Sequence, residues 1–419
     1  MDRYVVRPGE PLHGTVRVSG MTKNAGLKQM AAALLAPGVS VIRNVTPVDD
    51  LETMSELLRS IGADVTWSAD DALAIDVPER LVAEAPYELV SRLRASINVL
   101  GPLLARTGTA RVAMPGGDNI GNRKLDMHFD ALASMGAELK VVHGFIDARC
   151  NALCGARVVL EFPSVGATET VMSAAVLAKG ETVIENAARE PEVRDLGTFL
   201  EKMGAKIEGA GTSTIVIEGV DELAPVEHAI IGDRIEAGTL LFACVAAGGD
   251  IVVEGIDLEP LETVARKLGE MGAVVEPTPD GVRVCRERVL TAVDVQTLPF
   301  PGFATDFMPL AVAALATAEG TAIVTENIFD NRFAFVDELN RMGADIRTEG
   351  RHAVVRGVAR LSGAPVRAHD VRAGAALVLA GLAADGETTV LDPHHVERGY
   401  ADLPGKLRAL GADVTRYSS

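Results

Sequence analysis

The sequence predicts an α/β fold of two similar domains, each built from three repeated units with a buried inner helix. A Gly-Ala pair that ends a helix-like stretch and precedes a short alternating strand recurs six times, and its glycines are 68 to 74 residues apart. A second glycine precedes each pair by 23 to 28 residues and closes an apolar segment. A fixed period indicates a repeated structural unit, and a chain of 419 residues suits two domains.

Each unit reads in order as inner helix, strand, outer helix and strand, with a further strand before the next inner helix. The inner segments, such as AGLKQMAAALLA, are apolar almost all round, which indicates burial on every side. The glycine after each one, followed by alternating apolar residues, is typical of a helix C-cap and a strand. The second helix, as in LETMSELLRSIG, is amphipathic and is predicted to lie outside.

Composition excludes several classes of protein. The formal charge of −18 argues against a nucleic-acid-binding surface. The inner segments are too short to cross a bilayer, and no secretion signal is recognised at the start, so we expect a cytoplasmic protein without membrane insertion. Cys150 and Cys154 form a CxxxC that we interpret as two thiols near a turn rather than as a metal pair. We therefore expect no metal site.

Polar residues open the otherwise apolar inner helices. Helix N-termini carry unsatisfied N–H groups and favour anions, so two such domains facing each other would enclose a cleft for anionic ligands. Ordinary capping is the alternative for serine, threonine and aspartate, but a cation there opposes the helix dipole. The residues are Lys23, Asn24, Arg94, Ser96, Ser164, Thr168, Arg234, Glu236, Thr305, Asp306, Asp370 and Arg372.

One unit departs from the repeat. In the second unit the two marker glycines are 28 residues apart, and the additional residues fall in MPGGDNIGNR, residues 114–123. This glycine-rich segment contains Asp118 and Arg123. A mobile lid over a cleft needs such a segment, and a plain long turn is the alternative.

These segments together resemble the UDP-N-acetylglucosamine 1-carboxyvinyltransferase family of enolpyruvyl transferases over essentially the whole length. The motifs are VSGMTKNAG, RASINVLGP, MPGGDNIGNR, FPSVGATE, ENAAREPEV, GDRIEAGT, PGFATDFM, ENIFDNRF, DVRAG and ERGY. The resemblance implies two inside-out α/β domains facing across a cleft. Residues 22–229 would form the first domain, carrying the lid, and residues 1–21 with 230–419 the second, completed by the N-terminal strand. Phosphoenolpyruvate and UDP-N-acetylglucosamine would bind in the cleft, without metal or cofactor.

The resemblance also implies roles for individual residues. Phosphoenolpyruvate would be held by Lys23, Arg123, Arg332, Arg372 and Arg398, since guanidinium groups suit both phosphate and carboxylate. Catalysis would fall to Asp306 as base and to Asp118 as acid, with Lys23 as the competing acid. UDP-N-acetylglucosamine would contact Asn24, Arg94, Asp126, His128, Ser164, Val165, Gly166, Thr305, Asp306 and Ile328.

Two positions depart from the common family pattern. Asp118 stands where many members carry a cysteine, the residue that the epoxide fosfomycin alkylates, so resistance to that inhibitor is expected. Lys124 stands where proline is common, beside the implied uracil site. Two alternatives stay open: a paralogue acting on a nucleoside monophosphate or shikimate 3-phosphate, and a non-catalytic homologue. Retention of Lys23, Arg123, Asp306 and Arg398 argues against the latter.

Overall fold

The computed structural model describes residues 2–20, 23–68, 71–118, 120–121 and 124–418. This part of the chain divides into two compact units. The terminal unit contains residues 2–19, 118, 120–121 and 232–418, and the central unit contains residues 20, 23–68, 71–117 and 124–231.

Both units repeat one plan of four-stranded sheets. In four of the six such sheets that the described residues form, the strand before an inner helix pairs in parallel with the strand after it, and in five of the six a hairpin supplies the other two strands. In the central unit the sheets are Gly38–Arg43, Asp64–Ser68, Ala72–Val77 and Glu227–Ala229; Glu84–Ala85, Thr109–Ala113, Glu138–Val142 and Phe145–Arg149; and Arg157–Val159, Glu181–Glu185, Lys206–Glu208 and Thr214–Glu218. The predicted repeat of helix and strands is confirmed.

The terminal unit has three sheets of the same plan and one short strand pair. The sheets are Leu12–Arg17, Gly249–Glu254, Val274–Thr278 and Gly281–Arg286; Val295–Gln296, Thr321–Thr325, Asp345–Glu349 and His352–Arg356; and Arg3–Arg7, Pro365–Arg367, Thr388–Leu391 and Asp413–Tyr417. The pair is Leu361–Ser362 with Ala384–Asp385. The N-terminal strand Arg3–Arg7 lies antiparallel between Thr388–Leu391 and Asp413–Tyr417.

The inner helices are buried along most of their length, as their apolar sequences predict. Short 3₁₀ turns, Arg94–Val99 and Thr305–Phe307, precede two of them. The helices are Lys23–Ala33, Leu100–Thr107, Val165–Ala175, Arg234–Ala247, Met308–Leu315 and Val371–Leu382. Among the described residues, no helix is both long and apolar enough to cross a membrane.

The outer helices are shorter or more polar and alternate with the inner ones along the chain. They are Asp49–Ile61, Asp126–Ser134, Pro191–Lys202, Glu262–Glu270, Val336–Arg341 and Leu403–Ala409, with the additional turns Tyr87–Val90, Glu259–Leu261 and His394–Glu397. All twelve marker glycines have positive φ, from 71° to 129°. This conformation favours glycine, and it explains why the glycine spacing reveals the repeat.

The segment of residues 114–123 differs from its expected domain assignment. The sequence assigns the whole segment to the first domain, but Asp118, Ile120 and Gly121 group with the terminal unit. The reason is local: Asp118 pairs with Arg398, and a Cβ on Gly121 would lie only 2.0 Å from Asp330 Oδ1. Residues 114–117 group with the central unit.

Candidate functional site

The polar residues predicted at the inner helices do lie at helix N-termini, and some of them are caps. Ser164 Oγ accepts a hydrogen bond from the backbone N–H of Ala167 at 3.3 Å. Asp370 Oδ1 accepts from the N–H groups of Arg372 and Ala373 at 2.8 and 2.9 Å. For Ser164 and Asp370 the capping interpretation is therefore confirmed. The cations require another explanation.

In the terminal unit, Asp306 lies against two buried arginines. Its Oδ1 accepts from Nε of Arg372 at 2.8 Å and lies 3.9 Å from Nη2 of Arg332. Asp306 belongs to the 3₁₀ turn before one inner helix, Arg372 to the first turn of another, and Arg332 to the loop after strand Thr321–Thr325. Two successive repeats thus bring three predicted site residues together, with one third of the Asp306 side chain exposed.

Arg372 is fixed from several sides. Its guanidinium lies 5.2 Å from the ring centre of Tyr400, and the Tyr400 hydroxyl is 2.8 Å from Oγ1 of Thr239. The Asp370 cap orients the backbone from which the side chain departs. A buried cation held by an aromatic face and a carboxylate loses little further freedom when it binds an anion.

The charge state of Asp306 follows from these neighbours. Burial alone raises the pKa of a carboxyl group, but Arg372 and Arg332, with a smaller effect from Arg234, outweigh it and hold the pKa of Asp306 well below its usual range. Asp306 is therefore ionised throughout the neutral pH range. It can accept a hydrogen bond from a ligand hydroxyl, and it is reached from solvent.

A second charged pair in the terminal unit joins Asp118 to Arg398. Nη1 of Arg398 donates to Oδ1 of Asp118 at 2.5 Å. Arg398 follows the short helix His394–Glu397, on the loop between strand Thr388–Leu391 and the last outer helix. Burial, followed by the charges of His394 and Arg398, lowers the pKa of the neighbouring His395. A guanidinium this close favours the ionised form of Asp118.

Thr305 and Ile328, both predicted contacts of the sugar nucleotide, meet at one carboxylate. Thr305 Oγ1 donates to Oε2 of Glu326 at 2.8 Å, and the N–H of Ile328 donates to Oε1 of Glu326 at 2.7 Å. Glu326 is only 1% exposed. The sequence did not point to this residue, although its Glu-Asn pair recurs as Glu185-Asn186 at the end of the equivalent strand Glu181–Glu185 of another unit.

In the central unit, His128 lies against the start of an inner helix. A Cβ on Gly166 would be 3.1 Å from Nε2 of His128, so glycine permits this close approach. Burial, followed by the charge of Arg94, lowers the pKa of His128 to about 4. Neither ring nitrogen has a hydrogen-bond partner among the described residues. A buried, neutral imidazole with unsatisfied nitrogens is suited to a polar ligand group.

The other central-unit candidates lie near these residues in sequence and structure. Ser164 caps the helix that Val165 begins, and Asp126 begins the outer helix that contains His128. Asp126 Oδ1 accepts from the N–H of Met127 at 2.9 Å. Nη1 of Arg94 lies 3.5 Å from the carbonyl oxygen of Pro115, the second residue of the glycine-rich segment.

Lys23 and Asn24 open the first inner helix and have different partners. Nζ of Lys23 lies 3.0 Å from Oδ2 of Asp50, which is buried on the outer helix Asp49–Ile61. The carbonyl oxygen of Asn24 accepts from Nζ of Lys28 at 2.6 Å. Asp50 is a second site neighbour that the sequence analysis missed. The predicted ligand Arg123 lies outside the described residues.

Lys28, on the same helix, also contacts the buried carboxylate of Glu169. Its Nζ lies 3.5 Å from Oε1 of Glu169, whose Oε2 accepts from Nδ2 of Asn98 at 3.1 Å. Burial raises the pKa of Glu169 to about 7, with Lys28 opposing the rise. Each of the three inner helices, or the turn before it, contributes one polar side chain to this group.

The described residues contain no cluster of three histidine, cysteine or acidic side chains that could hold a metal ion. Cys150, Cys154, Cys244 and Cys285 are all free thiols. The polar groups described above can bind anions, accept hydrogen bonds and hold or receive protons.

Comparisons with known proteins identify the family. The family model for EPSP synthase (3-phosphoshikimate 1-carboxyvinyltransferase) matches residues 6–407. A UDP-N-acetylglucosamine 1-carboxyvinyltransferase of Corynebacterium jeikeium (strain K411) is 51% identical over 415 residues, covering 99% of each chain. A protein of the same name from Myxococcus xanthus (strain DK1622) is 49% identical over 418 residues, again covering 99% of each.

Solved structures agree with this assignment. The enolpyruvyl transferase NikO from Streptomyces tendae has a TM-score of 0.88 at 27% identity, covering 100% of this chain and 99% of NikO. An EPSP synthase from Acinetobacter baumannii has a TM-score of 0.75 at 19% identity over the whole of both chains, which establishes the shared two-domain inside-out α/β fold. The chain belongs to the EPSP synthase family of carboxyvinyltransferases and, within that family, to the UDP-N-acetylglucosamine 1-carboxyvinyltransferases.

Proposed function

We propose that this enzyme transfers enolpyruvate from phosphoenolpyruvate to the 3-hydroxyl of UDP-N-acetylglucosamine and releases phosphate. The observation that carries the proposal is the identity of about half of all residues, over 99% of the chain, with proteins of that name. The reaction would be a cytoplasmic step of peptidoglycan precursor synthesis, and thereby serve cell shape and division. Neither substrate is a nucleic acid or a membrane component.

The reaction proceeds by addition and elimination. The 3-hydroxyl oxygen forms a bond to C2 of phosphoenolpyruvate while C3 receives a proton, which gives a tetrahedral intermediate. The bond from C2 to the phosphate oxygen then breaks, a proton leaves C3, and the double bond returns. The steps need a base at the hydroxyl, an acid at C3 and cations for the phosphate and carboxylate.

We assign to Asp306 the binding and deprotonation of the 3-hydroxyl of UDP-N-acetylglucosamine. Its carboxylate is ionised and partly exposed, so it can orient the hydroxyl and receive its proton. The low pKa makes Asp306 a weak base, which suits a proton transfer that accompanies formation of the C–O bond. Arg332, Arg372 and Arg398 are assigned to the phosphoenolpyruvate anion, together with Lys23 and Arg123.

We assign to Asp118 the role of the acid that protonates C3 of phosphoenolpyruvate. Lys23 is the competing proton donor. Asp118 is bound to Arg398, and this contact favours its carboxylate form. A substrate phosphate that competes for Arg398 would weaken the pair and allow Asp118 to take up a proton. Lys23, paired with Asp50 at 3.0 Å, has to give up a proton to act instead. The same carboxylate at position 118 is the basis for proposing resistance to fosfomycin.

Phosphate release tests the proposed function. The protein is incubated with phosphoenolpyruvate and, in parallel, UDP-N-acetylglucosamine, UMP or shikimate 3-phosphate. We expect rapid release with UDP-N-acetylglucosamine only. Faster release with UMP or shikimate 3-phosphate would instead support a paralogue, and no release with any of the three would support a non-catalytic homologue.

A further inference from the structure

Glu326 holds together two parts of the terminal unit that carry predicted substrate contacts. It directly follows strand Thr321–Thr325 and is 1% exposed. Its Oε1 accepts from Oγ1 of Thr297 at 3.0 Å and from the N–H groups of Ile328 and Phe329 at 2.7 and 3.0 Å. Its Oε2 lies 2.8 Å from Oγ1 of Thr305. A buried carboxylate so fully bonded fixes all of its partners.

The directions of these hydrogen bonds are determined by chemistry. Backbone N–H groups only donate, and the oxygens of a carboxylate accept. Oγ1 of Thr297 accepts from the N–H of Asn327 at 2.8 Å, so its own hydrogen is directed to Glu326. The hydroxyl of Thr305 must likewise donate to Glu326. The hydrogen of Thr305 is therefore committed, and only its lone pairs remain for a ligand.

We propose that Glu326 is a positioning residue that makes Thr305 a hydrogen-bond acceptor for the sugar-nucleotide substrate. The inference rests on the proposed function. Thr305 is partly exposed and adjoins Asp306, whose carboxylate also accepts hydrogen bonds. Two adjacent acceptors select a sugar that presents two neighbouring donors, such as the reacting hydroxyl and the N–H of the substituent beside it. Glu326 would act through Thr305 and the backbone of Ile328 without touching the substrate.

The test compares Glu326→Gln, Thr305→Val and Thr305→Ser. In Glu326→Gln the amide oxygen can keep the three donors at the Oε1 position, while its NH₂ group faces Thr305 and reverses that hydrogen bond. We expect Glu326→Gln and Thr305→Val to raise the KM for UDP-N-acetylglucosamine about tenfold, the effect of losing one well-placed hydrogen bond. The KM for phosphoenolpyruvate should change less than about twofold. Thr305→Ser keeps the hydroxyl, so it should raise the KM for UDP-N-acetylglucosamine less than Thr305→Val does.

The double variant Glu326→Gln with Thr305→Val gives a second readout. Since Glu326 acts through the Thr305 hydroxyl, the double variant should be no worse than Thr305→Val alone. Glu349→Gln, at an exposed carboxylate of strand Asp345–Glu349, is the control. An unchanged KM for UDP-N-acetylglucosamine in Glu326→Gln, additive effects, or equal rises in both KM values with a lowered Tm would overturn the inference. Absence of turnover by the unmodified protein would instead reject the proposed function.

Discussion

At the scale of single residues, Asp306 shows how neighbours determine the chemistry of a carboxylate. Two buried arginines, Arg332 and Arg372, lie on its Oδ1 side and keep it ionised. The ordinary pKa of an aspartate is about 3.9, and that of Asp306 is lower. A loss of kcat/KM as the pH falls from 7 to 5 would therefore be caused by protonation of a group other than Asp306. Any stabilisation from these ion pairs is present above pH 4 or so and disappears only as the pH falls through the lower, folded-state pKa.

Asp306→Asn is expected to abolish most turnover while sugar-nucleotide binding is largely kept. The amide preserves shape and can still accept a hydrogen bond, but it cannot take up the proton of the hydroxyl. Loss of a general base typically reduces kcat about 100- to 10,000-fold. Steady-state kinetics and calorimetric binding of UDP-N-acetylglucosamine measure the two effects. Asp385→Asn, at an exposed pair with Arg360, is the matched control, and near-normal turnover of Asp306→Asn would remove Asp306 from the mechanism.

Asp118 supports a second prediction at this scale, concerning fosfomycin. An epoxide is opened rapidly by a thiolate, whereas a carboxylate is a much weaker nucleophile. A carboxylate paired with Arg398 is further occupied by its hydrogen bond at 2.5 Å. We therefore expect no time-dependent inactivation of the unmodified enzyme. Asp118→Cys should create it and retain some activity, because the family resemblance implies that a cysteine can occupy this position.

The control for fosfomycin is Asp118→Ala, which should lose turnover without gaining sensitivity. Peptide mass spectrometry after incubation locates any adduct. Cys150 and Cys154 are at least partly exposed, so the experiment on the unmodified enzyme also shows whether fosfomycin alkylates these thiols. Rapid irreversible inactivation with an adduct on any of these thiols would contradict the assignment of residue 118 as the position that decides sensitivity.

At the scale of elements, the repeat was predictable because it depends on local backbone chemistry. The twelve marker glycines adopt positive φ, which other residues rarely adopt, so they mark in the sequence where the chain passes from each inner and outer helix to the next strand. Apolar inner segments became buried helices for a similarly local reason. The 3₁₀ turns Arg94–Val99 and Thr305–Phe307 were not predicted, because the choice between 3₁₀ and α-helical hydrogen bonding depends on packing around the turn.

The site was predictable only in part. The sequence predicted that the site residues lie at the N-termini of the inner helices, and the family resemblance supplied their roles. The partners Glu326, Asp50 and Tyr400 were missed, because they lie more than twenty residues along the chain from Thr305, Lys23 and Arg372, beyond the range of a local sequence pattern. The Asp118–Arg398 pair likewise joins residues 280 positions apart. Such contacts depend on how the repeats pack, which periodicity does not determine.

The three inner helices of the central unit support a prediction about pH. Glu169 ionises near its ordinary pKa of about 4.3 in the unfolded chain, but near 7 in the folded state. The protonated form therefore stabilises the fold fully below pH 4.3 or so, and this contribution is lost as the pH rises through 7. Glu169→Gln does not titrate. The Tm of Glu169→Gln minus that of the unmodified protein should increase from about pH 4.3 to 7 and then level off.

Thermal unfolding at several pH values measures this difference. Glu218→Gln, at an exposed carboxylate that pairs with Lys206, should show no comparable pH dependence. Lys28→Met removes the nearest cation and should extend the change to higher pH, since Lys28 opposes the rise in the pKa of Glu169. A Tm difference that stays constant from pH 4 to 8 would show that Glu169 is ionised in the fold.

At the scale of the whole molecule, the strands Arg3–Arg7 and Asp413–Tyr417 lie in the same unit. The strand Arg3–Arg7 supplies the place that a hairpin strand takes in the other sheets, and Leu12–Arg17 pairs in parallel with Gly249–Glu254. In the central unit the late strand Glu227–Ala229 completes the sheet of the first repeat in the same way. Each unit is therefore closed by a strand distant in sequence, which ties its first and last repeats together.

Weakening the N-terminal strand should destabilise the terminal unit selectively. Val6 is fully buried in this strand, and Val6→Ala leaves a cavity whose cost is on the order of 2 kcal/mol. Hydrogen exchange should become faster in Thr388–Leu391 and Asp413–Tyr417, which flank the strand. Exchange in Glu181–Glu185 and Thr214–Glu218 of the central unit should stay unchanged. Val39→Ala, at an exposed valine of the central unit, is the matched control. Equal loss of protection in both units would mean that they unfold as one cooperative body, and unchanged protection in both would mean that the N-terminal strand contributes little to the sheet it completes.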